Sequence, residues 1–140
     1  MPDRTRRSLR HLVEQDAGHR CGYCLTSALL TGTPLVLEHL IPQVDGGPTR
    51  RENLWLSCYR CNEFKGRRTG AVDPASGEHV PLFNPRKQTW GEHFCWSQDG
   101  TQIIGISSIG RATVEALRLN NDLIMAARRR WVAVGWHPPP

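Results

Sequence analysis

The chain has 140 residues, 39% hydrophobic and 22% charged, which fits one soluble globular domain with a modest core and is too little for two independent domains. No stretch approaches the roughly 20 apolar residues of a membrane span, which excludes a membrane protein. The basic opening MPDRTRRSLRHLVEQ lacks the apolar run and cleavage site of a secretory signal, so a cytoplasmic location is expected. Lys and Arg number 18 against 13 acids, a net charge of +5, and 16 of the 18 cations are Arg. The Arg fork grips phosphate bidentately, which favours a nucleic-acid partner, although Arg-favouring codon usage would give the same bias.

In chain order, Leu9, Leu12 and Val13 at helical spacing before Gly18 predict an amphipathic helix over residues 5–17. CGYC then makes a tight turn, and the stretch to the Gly32-Thr33-Pro34 break reads as loop. LVLEHLI, residues 35–41, predicts a strand closed by Pro42, and Asp45-Gly46-Gly47-Pro48 a loop. Leu54-Trp55-Leu56 suits a partner strand, and a helix starting near Cys61 gives out at Gly66. Residues 69–89 read as a linker or wrapping arm. Asp99-Gly100 marks a hairpin over residues 93–106. Two helices follow, over 112–119 and from Asp122 to Val134, the second capped by Gly135.

Five cysteines without an export signal point to metal rather than disulfides. Cys21/Cys24 and Cys58/Cys61 form two Cys-x-x-Cys pairs separated by 33 residues. They can converge on one tetrahedral Zn²⁺ with every position filled by protein, which makes the site structural. Closing that loop would hold the intervening strands in register. Cys95 has no visible partner and reads as an apolar filler in a strand.

Glu38-His39, Pro42, Gly46-Gly47 and Asn53 stand between the knuckles, and Asn62 and Lys65-Gly66 follow the last cysteine. The run LEHLIPQVDGG, with RENLWLSCYRCNEFKG after it, resembles the HNH endonuclease motif, in the subclass with two zinc-binding Cys pairs. The resemblance spans roughly Cys21 to Gly66. It implies an α+β fold: a ββα-metal core stapled by the four-cysteine zinc site, with an N-terminal helix and a C-terminal hairpin plus helices. The division expected is 1–70 for helix and nuclease core, and 71–140 for an extension packed on the core rather than an independent domain.

The resemblance further implies hydrolysis of DNA phosphodiesters by a one-metal-ion mechanism. His39 would be the general base, and Glu38 and Asn62 would supply oxygen ligands to one divalent ion. Asn53 would orient His39 and brace the loop between the strands. The family often has Asp at the position of Glu38 and His at that of Asn62, and all-oxygen ligation favours Mg²⁺ or Mn²⁺. Regular alternation along a strand would send Glu38 and His39 to opposite faces, so a distortion or a short strand end must let both reach the site.

Arg60, Lys65, Arg67 and Arg68 flank the expected metal and are candidates for phosphate contact. Arg4, Arg6, Arg7 and Arg10 form a second basic cluster, which would extend the DNA footprint. The run 128–130 points in several directions on a helix and reads as a generally charged surface. LFNPRKQTW, EHFCW and IGRATVEALRLN resemble a C-terminal extension of a group of bacterial HNH proteins, and its aromatic residues suit packing between hairpin and helices. Two alternatives remain open. One is a zinc-stapled nucleic-acid-binding or adaptor module without turnover, and the other is a subunit of a larger restriction or phage-related complex whose protein partner supplies specificity.

Overall fold

The computed structural model describes residues 2–140, with side chains from Arg7 onward. Arg4 and Arg6 of the N-terminal basic cluster lie outside the described side chains. The elements are helices and separate two-stranded antiparallel ribbons, the α+β class expected. Among the described residues no helix is long and apolar enough to cross a membrane. The chain divides into two compact units, Met1–Thr69 with Asn84–Lys87, and Gly70–Phe83 with Gln88–Pro140.

In the first unit, α1 spans Pro2–Ala17. It ends where Gly18 and His19 turn into the left-handed region. Its Val13 joins Leu35, Leu54 and Leu56 in a buried cluster, with Leu9, Leu37 and Ala28 packed around it. Each such side chain contributes about 1.5–3 kcal/mol by leaving water. The segment expected to be loop contains one helical turn, α2 (Ala28–Thr31), capped by Ser27 and stopped by Gly32 at φ 71°. Four residues are too few for helical periodicity to show in the sequence.

Strand β1 (Val36–His39) pairs with β2 (Leu54–Ser57), with Glu38 opposite Trp55 and His39 opposite Leu54. The first strand is shorter than expected: Leu40 N still donates to the Asn53 carbonyl, but Ile41 N turns to the Asn53 side chain as the connecting loop begins. Helix α3 (Tyr59–Lys65) follows and stops at Gly66. The 84–87 segment belongs to this unit through Arg86. Its guanidinium donates to the Leu54 carbonyl (3.1 Å) and to Asp16 (2.9 Å) and lies over the Trp55 ring.

In the second unit, the expected linker holds a hairpin, β3 (Gly70–Val72) with β4 (His79–Pro81). Three-residue strands carry almost no alternation signal. The turn is held instead by fully buried Asp73, which takes both nitrogens of an Arg111 fork at 2.9–3.0 Å, a contact 38 residues away in sequence. A turn of helix, α4 (Trp90–His93), leads into β5 (Phe94–Trp96), which pairs with β6 (Ile103–Gly105) around Gly100 at φ 76°, the hairpin expected from Asp99-Gly100.

Helix α5 (Ser108–Leu117) starts four residues earlier than expected, since Ser107 caps it by accepting from Gly110 N. Helix α6 (Asp122–Ala133) ends just before Gly135 at φ 80°. Phe83, Phe94, Ile103, Ala112, Leu117 and Leu119 are buried in this unit. Arg128, fully buried, donates to the Thr101 and Leu119 carbonyls and to Asn120.

Candidate active site and metal centre

The two knuckles converge. The four sulfurs of Cys21, Cys24, Cys58 and Cys61 all lie within 4.8 Å of one another, and Cys24 Sγ is 3.7 Å from Cys58 Sγ. A tetrahedron with metal–sulfur bonds of about 2.3 Å has edges of about 3.8 Å, so the spacing fits a zinc ion. Local structure aims the thiols inward. Gly22 N donates to the Leu56 carbonyl and ties the first knuckle to β2, and Cys61 N donates to Cys58 Sγ at the start of α3. Burial foremost, then the neighbouring thiols, pushes Cys21 well up, and contact with the other thiols does the same for Cys61. The same contacts, that with Cys21 foremost, push Cys24 down, so loss of its proton opposes loss of the next, and a shared cation would offset that cost at Cys21 and Cys61.

Strand β1 is regular, and it sends Glu38 and His39 to opposite faces. Glu38, 4% exposed, faces α3. Its Oε1 accepts from Tyr23 OH at 2.8 Å and lies 2.7 Å from the Lys65 ammonium, itself buried. Oε2 is buried and has no hydrogen-bond partner among the described residues. Burial raises the Glu38 pKa despite the opposing pull of Lys65 and Tyr23. Asn62 is half-buried on α3, one turn before Lys65.

His39 lies with Leu37 on the other face, in an open pocket of about 420 Å³ that α1 helps to line. Its Nε2 is 2.9 Å from Thr49 Oγ1, and partial burial lowers its pKa. The imidazole is therefore mostly neutral near pH 7.

Asn53, buried, braces the loop that follows β1. Its Oδ1 accepts from Ile41 N (2.9 Å), and its Nδ2 donates to the Ile41 and Pro48 carbonyls (3.1 and 2.9 Å). Its bonds go to that backbone and not to the His39 ring. The same loop needs Gly47, where a Cβ would sit 1.7 Å from the Ile41 carbonyl oxygen.

The basic residues of α3 are occupied in several ways. Lys65 is spent on Glu38, and Arg60 stacks over Phe64. Arg68 donates to the Phe64 and Lys65 carbonyls, and Arg67 is exposed. Sequence reasoning did not single out Tyr23 or Thr49. Tyr23 was visible only as the third residue of CGYC, and Thr49 carried no signal.

A two-stranded ribbon leading into a helix, clasped by a four-cysteine cluster positioned as a zinc site, is a ββα module of the metal-stapled kind. Residues 21–68 match the family model described as HNH endonuclease. No curated protein and no solved structure matches the chain.

Proposed function

We propose that the chain is an endonuclease that hydrolyses phosphodiester bonds in DNA, with His39 as general base. The observation that carries this is the His39 ring, which opens into a solvent pocket within the HNH domain, tethered at one nitrogen to Thr49. With Nε2–H donating to Thr49 Oγ1, Nδ1 is left as an acceptor. It takes a proton from water, the water oxygen bonds to phosphorus, and the P–O3′ bond breaks as the leaving oxygen gains a proton from solvent. Asn53 supports this by fixing the backbone immediately after β1.

Zn²⁺ would be held by the four cysteines as a structural ion. The buried, unpartnered Glu38 Oε2 is an oxygen donor without a partner, which suits a hard divalent ion. Glu38 and Asn62 would hold Mg²⁺ or Mn²⁺, which supplies positive charge against that developing on the phosphate. One observation favours a second reading, a binding module without turnover: Lys65 already neutralises Glu38, on the strand face away from His39.

The test is nicking of supercoiled plasmid by wild type and His39→Ala, each folded and zinc-loaded, with Mg²⁺, Mn²⁺ or EDTA. Metal-dependent nicking by wild type, and a loss of at least a hundredfold in the variant, is expected. Absence of cleavage by a wild-type protein that binds DNA would favour the binding module.

A further inference from the structure

The His39 pocket has a wall that the basic α3 cluster does not supply. Arg7 and Arg10 of α1 line it together with Thr49 and Gln43, and among the described residues no carboxylate lines it. Arg10 is set in place by donation from its guanidinium to the Leu35 carbonyl, at the approach to β1. Among the described residues its acidic neighbour is Glu14, at 3.8 Å in a half-buried i,i+4 pair. Arg7 is exposed, one helical turn earlier. Two guanidiniums, a hydroxyl and an amide around one open cavity form a site for an anion of phosphodiester type.

On the α3 side Lys65 is buried against Glu38, Arg68 donates to backbone carbonyls and Arg60 lies over a ring, while Arg67, just beyond the helix, is exposed. We propose that Arg7 and Arg10 each bind a backbone phosphate of the DNA beside His39, so that the substrate strand runs along α1. This rests on the nuclease reading above. It assigns both residues as substrate-positioning groups and makes α1 part of the substrate site.

The experiment measures binding of a fluorescent DNA duplex to the zinc-loaded protein over a range of salt, with no divalent ion added so that no turnover occurs. The proteins are wild type, Arg7→Gln, Arg7→Gln/Arg10→Gln, and Arg130→Gln on α6 as a charge-matched comparison. Each phosphate contact contributes about 0.9 to the slope of log K against log salt. Arg7→Gln is expected to flatten the slope by about 0.9 and weaken binding about eightfold at 0.1 M salt. The double variant is expected to do about twice as much in the slope, and Arg130→Gln to leave it unchanged. Among the described residues Arg7 makes no side-chain bond whose loss would confound folding, and circular dichroism checks both variants.

Slopes for Arg7→Gln and the double variant equal to that of wild type overturn the proposal, even if wild type cuts DNA. A flattened slope in a wild type that never cuts keeps this phosphate site and removes the nuclease reading.

Discussion

Replacing Lys65 by Met removes one member of a buried ion pair and keeps most of its apolar stem. Glu38 would be left in its buried position with only Tyr23 donating to it. An isolated buried carboxylate takes up a proton rather than stay charged, and this bounds the cost. From an ordinary pKa of 4.5 to pH 7 is about 2.5 pH units, at about 1.36 kcal/mol each, or about 3.4 kcal/mol. That falls within the 3–5 kcal/mol typical of a broken buried pair.

The pH dependence follows from the sign. A folded-state pKa raised above the unfolded value means that the folded protein holds the proton more tightly, so stability is lost as pH rises above 4.5. At pH 5 the cost should shrink to about 0.7 kcal/mol. The assay is urea unfolding at pH 5, 6 and 7 of wild type, Lys65→Met and Lys65→Met/Glu38→Gln, with bound zinc quantified and no other divalent ion added. The double variant should recover most of the loss at pH 7. A loss equal at pH 5 and pH 7, or a double variant as unstable as the single one at pH 7, would refute the uncompensated charge as its cause.

Cys58→Ser should lose the metal, measured by elemental analysis at one zinc per wild-type chain, and with it the ordered β1–β2 ribbon, because binding energy at such a site is folding energy. Gly47→Ala should cost about 1–3 kcal/mol in thermal or urea unfolding. It should also displace the loop that Asn53 braces while zinc content stays unchanged, since the new Cβ would collide with the Ile41 carbonyl. In acid, Arg51 beside Asp16 and Arg111 beside Asp73 hold those carboxyls well below their usual range, and bonding from the Thr101 amide foremost pushes Asp99 down to about 2. Folded pKa values below the unfolded 3.8 place this stabilisation above pH 3.8, and it fades as pH falls from there toward 2. Circular dichroism through that window should show unfolding whose steepness is reduced by Asp16→Asn.

The features legible in the sequence are those written over short spans. The Cys-x-x-Cys spacings predicted the thiol cluster, since two residues between cysteines is a turn that aims both sulfurs at one point. Asp99-Gly100 predicted its hairpin because a tight turn with positive φ selects those residues, and the short apolar runs LVLEHLI and Leu54-Trp55-Leu56 predicted the β1–β2 pairing. Motif order carried the resemblance to HNH endonucleases, and residues 21–68 match that family's model.

What the sequence could not express depends on partners far along the chain. The β3–β4 hairpin, read as linker, is held by Asp73 to Arg111, and the return of residues 84–87 to the first unit is held by Arg86 to Asp16, 70 residues apart. The division of labour across β1 is of the same kind. Alternation said that Glu38 and His39 diverge, but only packing decided that Tyr23 and Lys65 enclose the one while Arg7, Arg10 and Thr49 surround the other. Burial and charge compensation are properties of what comes together in space, and a local pattern does not carry them.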